Sequence, residues 1–278
     1  MQFGDYRVEI IPDAEFKLDG GAMFGVVPRV VWERVCTADE LNRVRMNMNC
    51  LFIDTGSEKI LVETGIGEKW TDKQTAMYGI DRKMPLARSL ETIAGCRPDD
   101  ITIVVNTHLH FDHAGGNTVL QDGIPVPQFQ NARYLVSRSE FNHAERPHER
   151  DRASYLPENW LPMQESGQLE LMPDIYEVVE GLRIEQVRGH SETMQTIRLD
   201  RGGRTLYGFA DLIPTRHHLP YAWIAGFDLY PVETLEFKKG ILPKAVAEDW
   251  LCLFYHDPEV PISNLTEISG KLFAKTST

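Results

Sequence analysis

Short apolar runs rich in β-branched residues recur along this chain, each closed by turn residues or by a polar side chain able to do chemistry. Arg7–Ile11, Met46–Ile53 and Lys59–Glu63 read as strands, the last two separated by Asp54-Thr55-Gly56-Ser57. Leu86–Ala94 has helical spacing of apolar positions, and Ile101–Val105 is another buried strand. Arg133–Val136 reads as a strand that runs into Ser137-Arg138-Ser139-Glu140, which matches a helix-opening capping box. The helix it opens is expected to fray in the charged stretch 145–152, where Pro147 interrupts the pattern. Ile175–Glu180, Arg183–Val187, Met194–Leu199 and Arg204–Ala210 form a second block of strand-like runs. Pro231–Lys239 and Lys244–Trp250 read as two helices broken by Gly240 and Pro243, and Leu251–Tyr255 as a last buried strand. Two strand-rich blocks with interspersed helices predict a layered α/β sandwich, and the absence of a linker or internal repeat points to one domain over residues 1–278.

The strand at 101–105 leads into Thr107-His108-Leu109-His110-Phe111-Asp112-His113-Ala114-Gly115-Gly116, with three of the nine histidines inside six positions. Alternate residues of an extended segment point the same way, so His108 and His110 can grip one ion together. Asp112 and His113 follow as the chain turns and can face a second, with Gly115-Gly116 expected to free the backbone for a sharp turn. The alternative is a polar loop rich in histidine by chance. Three later residues also stand at the ends of apolar strands: His190, Asp211 and His256. Singly, each could be a turn or cap residue. Together they point to one cleft, because strand ends on one edge of a sheet converge.

Bulk properties narrow the partners. The formal net charge of −12 in 278 residues argues against binding to nucleic-acid phosphates or anionic membranes. Cys36, Cys50, Cys96 and Cys252 show no C-x-x-C spacing and read as reduced core residues, Cys252 sharing a strand face with His256. There is no basic segment followed by an apolar core at the N-terminus and no apolar run near the ~18 residues that cross a bilayer. A cytoplasmic protein is the expectation.

The motif at 108–113 resembles the H-x-H-x-D-H signature of the metallo-β-lactamase-fold hydrolases, and the likeness extends to His190 in Gly-His-Ser, to Asp211 and to His256. Leu18-Asp19-Gly20-Gly21-Ala22-Met23-Phe24-Gly25 and Tyr230-Pro231-Val232-Glu233-Thr234 resemble the branch that holds quorum-quenching lactonases. The resemblance implies a four-layered αββα sandwich. It also implies that His108, His110 and His190 bind one metal, that Asp112, His113 and His256 bind another, and that Asp211 bridges them. Nitrogen and oxygen donors without thiolate suit Zn2+, with iron, manganese or cobalt as alternatives. The implied activity is opening of an ester-type bond, such as that of an acyl homoserine lactone, by a metal-bridging hydroxide, with Asp112 shuttling the proton.

Four departures from that pattern involve six positions. Glu63 stands where many relatives have Asp, Glu192-Thr193 replaces Pro-Gly, Gly240 and Pro243 break a helix, and Pro214 replaces a substrate-polarising Tyr. Tyr221 could substitute for it from the next loop. The substrate candidates are Phe111, Met23, Phe24 and Tyr221, with Trp223, Ile224 and Phe227 nearby in sequence; they suit a small molecule with an apolar portion but could equally be core. His217 and His218 fall in a polar loop and are expected to be solvated. The apolar stretch 23–32 could pack on a second subunit in a homodimer and close over the cleft, or could equally pack internally. Alternative activities are thioester hydrolysis of the glyoxalase II type, for which the 22 residues after His256 are short, phosphotriester hydrolysis, and mononuclear-iron persulfide dioxygenation. RNA processing fits the acidic balance poorly, and a scaffold without catalysis fits a full ligand set poorly.

Overall fold

The computed structural model describes residues 1–275. The chain divides into two compact units, one made of Met1–Ala14 and Met48–Tyr176, the other of Glu15–Asn47 and Glu177–Thr278. The strands Tyr6–Asp19 and Arg43–Asp54 each run from one unit into the other along the chain.

In the first unit, Lys59–Val62 pairs antiparallel with the end of Arg43–Asp54 and parallel with Ile103–Val105. Arg133–Ser137 and then Leu169–Met172 extend the sheet in parallel. Parallel strands are covered on both faces and so lose the polar–apolar alternation. Ile60, Leu61, Val62, Ile103, Val104 and Val105 are accordingly all buried, which is why this region reads as unbroken apolar runs. The motif at 107–116 starts just beyond the carboxyl end of Ile103–Val105, the edge at which open parallel sheets place their ligands.

The second unit carries an antiparallel meander, Leu182–Gln186 with Gln195–Arg201 with Arg204–Gly208. Leu251–Leu253 then joins parallel to Arg204–Gly208, and Ile262–Ile268 and Lys271–Ala274 close the sheet as an antiparallel pair. Leu182–Gln186, Arg204–Gly208 and Leu251–Leu253 therefore all run in one direction. Their carboxyl ends lie on one edge of the sheet, and His190, Asp211 and His256 follow those three ends.

The crossover between the two parallel strands is a single helix, Pro231–Ala247, not the two segments expected from Gly240 and Pro243. Its buried face is Thr234, Lys238, Leu242 and Ala245, at helical spacing. Gly240 and Pro243 both lie on the exposed side, so the bond that proline removes is lost away from the core and the packed face carries the helix through. The run expected as a helix over 86–94 is an α-turn at Leu86–Ser89 continued by a π-turn at Leu90–Ala94. Among the described residues no helix is long and apolar enough to cross a membrane.

Candidate metal centre

In the first unit His108, His110, Asp112 and His113 are all buried. The rings of His108 and His110 pack edge to face at 4.5 Å, and those of His108 and His113 lie 4.1 Å apart. His110 caps a one-turn helix, Phe111–Ala114, which carries Asp112 and His113. Nitrogen atoms of His108 and His110 come within 4.8 Å of each other, as do ligand atoms of Asp112 and His113. The alternation inferred for 108 and 110 and the turn inferred at 112–113 are thus both present.

The glycines after the motif do a different job from the one expected. Gly115 has ordinary helical angles (φ −58°, ψ −37°) and Gly116 is not in the left-handed region. What they supply is closeness. A Cβ on Gly115 would collide with the Ile66 carbonyl, and one on Gly116 with the Thr64 carbonyl. At these two glycines the loop is pressed backbone to backbone against residues 64–66, and Thr64 donates to His113 O from both its N at 2.9 Å and its Oγ1 at 3.1 Å.

A buried polar net fixes the loop further. Glu63 sits at φ 64°, a left-handed conformation rare outside glycine. Its carboxylate accepts from Thr107 N at 3.0 Å and Asn106 Nδ2 at 3.3 Å, and stands 3.5 Å from His113 Nδ1. Thr107 Oγ1 meets His108 Nδ1 at 2.9 Å, which leaves Nε2 as the other face of that ring. Only the Ser137 half of the expected capping box at 137–140 forms, and the Glu140 carboxylate is used elsewhere. The Glu140 backbone N–H donates to Ser137 Oγ at 3.1 Å, as expected, but its buried carboxylate accepts from Leu109 N at 2.7 Å and anchors the motif itself.

In the second unit Asp211 lies between two imidazoles. Oδ2 is 3.4 Å from His190 Nε2, and Oδ1 is 3.0 Å from His256 Nε2. The opposite nitrogens of both rings are committed. His256 Nδ1 faces the Asn47 carbonyl at 3.0 Å, and His190 Nδ1 faces Asp228 Oδ1 at 3.1 Å. A carbonyl or ionised carboxylate oxygen accepts, so each Nδ1 carries hydrogen, and in its neutral form each ring would present a lone pair at Nε2. A divalent ion held between the two Nε2 atoms and this buried carboxylate would satisfy all three groups. This donor set fits a divalent metal ion, and each carboxylate oxygen has its own histidine, as a bridging ligand would need.

Asp228 was not singled out by its sequence context. It is buried, accepts from Thr234 Oγ1 at 2.7 Å, and so ties His190 to the first turn of the helix Pro231–Ala247. Pro214, which cannot polarise a substrate, gives its carbonyl to His256 N at 2.9 Å and so helps to seat that residue. His218, expected to be solvated, is fully buried: Nδ1 meets Thr215 Oγ1 at 2.8 Å, Nε2 meets Met23 O at 2.8 Å, and its ring stacks on Phe24 at 4.9 Å. Burial pushes it down to about 3.

The substrate candidates are placed unequally. Phe111 is buried within the metal loop and contacts Trp70 and Tyr78, each at 5.3 Å between ring centroids. Met23 is buried, and Phe24 is enclosed by Trp32, His218 and Trp223. Tyr221 is 38% exposed. Cys252 is buried in its strand, where burial pushes the thiol well above its usual range, and it packs as an inert core residue. All four cysteines are free thiols.

Buried imidazoles and carboxylates at the carboxyl ends of strands, with their far nitrogens fixed by acceptors, define a metal-binding α/β protein. The sequence profile described as the metallo-beta-lactamase superfamily matches residues 44–205, more than half of the chain, and the chain belongs to that family. It is similar to an N-acyl homoserine lactonase of Bacillus cereus, 29% identical over 168 residues that cover 57% of this chain and 60% of that protein. A second N-acyl homoserine lactonase, from Bacillus thuringiensis, is 28% identical over 221 residues, covering 76% of this chain and 81% of its own. Among solved structures, a probable metal-dependent hydrolase from Staphylococcus aureus superposes with a TM-score of 0.89 at 28% identity, over 100% of both chains. A dizinc quorum-quenching lactonase in complex with a product gives 0.80 at 18% identity, covering 100% of this chain and 96% of that one. At 18% the likeness is one of fold. The α/β fold of the metallo-β-lactamase type expected from the sequence is the one these comparisons return, and the relatives and fold neighbours are metal-dependent hydrolases.

Proposed function

We propose that this chain is a dinuclear metal-dependent hydrolase of ester-type bonds, with a lactone bearing an apolar acyl portion as substrate. His108, His110 and His190 would hold one ion, Asp112, His113 and His256 the other, and Asp211 both. The observation that carries this reading is Asp211, a buried carboxylate whose two oxygens each face Nε2 of a different histidine. Zinc is the metal favoured by the nitrogen and oxygen donors.

Two bound divalent ions supply a nucleophile at neutral pH and an electrophile for the scissile carbonyl. The protein's own groups do the rest. The carboxylates of the proposed ligand set are the candidates for proton handling. Asp112 is the one on the loop beside Phe111. Water adds to the carbonyl carbon, the ring C–O bond breaks, and Asp112 passes a proton to the departing alkoxide. The product is a hydroxy-carboxylate, and one proton is released per turnover near neutral pH.

The lactone is favoured over a thioester or phosphotriester by the lactonase relatives and by the apolar rings of Phe111 and Trp70 beside the motif. The presence of a separate histidine at each oxygen of Asp211 disfavours the mononuclear dioxygenase reading. Four free thiols and the acidic net charge favour a cytoplasmic protein acting on a small molecule, with no nucleic-acid or membrane partner. Met23, Phe24 and Trp32 of the stretch 23–32 are buried, while Val26 and Val30, 88% and 71% exposed, favour a homodimer. Proton release from a long-chain acyl homoserine lactone, compared between zinc-loaded and chelator-stripped protein, tests the function. Metal-dependent turnover with kcat/KM of about 10⁴ M⁻¹s⁻¹ or more supports it; a fully metallated sample without turnover rejects the lactone.

A further inference from the structure

The segment 66–82 holds an aromatic residue that its sequence context did not flag. The helix Asp72–Tyr78 is opened by a complete capping box between Thr71 and Gln74 and closed by Gly79 in the left-handed region. The segment is clamped to the metal loop and the strands behind it. Lys69 Nζ donates to the carbonyls of Gly115 and Thr118, Trp70 Nε1 donates to Ile66 O at 2.8 Å, and Arg82 pairs with buried Asp13 and donates to Gly67 O. No residue of the helix is buried, yet Tyr78 at its end closes a three-ring cluster with Trp70 at 5.4 Å and Phe111 at 5.3 Å. Among the described residues none hydrogen-bonds the Tyr78 hydroxyl. The cluster therefore presents two apolar rings and one unspent donor beside the residue that precedes Asp112.

We propose that the Tyr78 hydroxyl donates a hydrogen bond to a neutral carbonyl of the substrate other than the scissile one, and so selects lactones that carry an acyl amide. This rests on the lactone reading of the same centre. The scissile carbonyl belongs at the proposed ligand set, whereas Tyr78 packs on Phe111, one residue before Asp112, so its hydroxyl is placed for a neighbouring group rather than for the scissile one. A wall of two rings with a single polar group on it reads a single acceptor. A phenol hydroxyl is protonated near neutral pH and can donate to such an acceptor.

The test compares Tyr78→Phe with the parent on two substrates, N-decanoyl homoserine lactone and a γ-alkyl butyrolactone of similar length that lacks the amide. Metal content is measured on both proteins. The variant keeps the rings and loses only the donor. The expected result is unchanged metal content, kcat/KM lower by about tenfold on the acyl-amide lactone, and no more than about a twofold change on the alkyl lactone. Affinity for ring-opened N-decanoyl homoserine, read from tryptophan fluorescence, should weaken by a similar factor. Equal losses on both lactones, loss of metal, or no loss on either overturns the inference. A parent active on both lactones with an indistinguishable variant removes this inference alone; a parent inert toward both removes the lactone reading and this with it.

Discussion

The carboxylate of Asp228 holds Nδ1 of His190 at 3.1 Å and is itself held by Thr234 at 2.7 Å. The pair fixes which nitrogen of His190 carries hydrogen and therefore which one faces Asp211. Asp228→Ala should weaken metal affinity by about 10–100-fold, the cost of losing an outer partner of a ligating histidine. Chelator competition measures it. Asp228→Asn should fall between the two, since an amide oxygen still accepts. Unchanged affinity in the alanine variant would mean that His190 needs no such orientation.

Glu140 reaches out of its helix to accept from Leu109 N at 2.7 Å. Glu140→Ala leaves that buried N–H without its acceptor and should cost about 1–3 kcal/mol, seen as a lower denaturation midpoint. Glu140→Gln keeps an acceptor oxygen and should cost less. Equal costs for the two would mean that the hydrogen bond to the motif is not the source of the effect.

His218 links pH to folding. Its value falls from near 6.5 to about 3 on burial, so between those limits the unfolded chain binds a proton that the native protein does not. Its contribution to stability is complete above pH 6.5 and is lost as pH falls toward 3, at up to about 1.4 kcal/mol per pH unit. Urea midpoints from about pH 7 to about pH 5 should decline less steeply in His218→Phe than in the parent. Parallel slopes would place the acid sensitivity elsewhere.

Asp112→Asn separates proton handling from binding. Turnover should fall by about 10²-fold or more while KM stays near that of the parent, because general acid–base work of this kind is worth ~10²–10⁴. A comparable change in both parameters would make Asp112 chiefly a structural ligand.

The candidate ligands stood out in the sequence because each ends an apolar run, and three of the runs prove to share one direction in one sheet. The fold class was readable for the same reason: strands buried on both faces show as continuous apolar stretches. What escaped were features that depend on which face meets which neighbour. Gly240 and Pro243 look like helix breakers, but both fall on the solvent side of a helix whose packed face is uninterrupted. Gly115 and Gly116 look like turn residues and instead admit two carbonyls. His218 looks like a loop histidine and is core. Asp228 and Tyr78 gave no signal, since a lone Asp in a loop or a Tyr ending a short polar helix is ordinary until its neighbours are known.

The most direct test of the account is metal stoichiometry, by elemental analysis of zinc-reconstituted protein and of Asp211→Ala. Two ions per chain in the parent, with at least one lost in the variant along with nearly all hydrolysis, is the predicted result. One ion or none in the parent, or a fully metallated and active Asp211→Ala, would contradict a dinuclear centre bridged by that carboxylate.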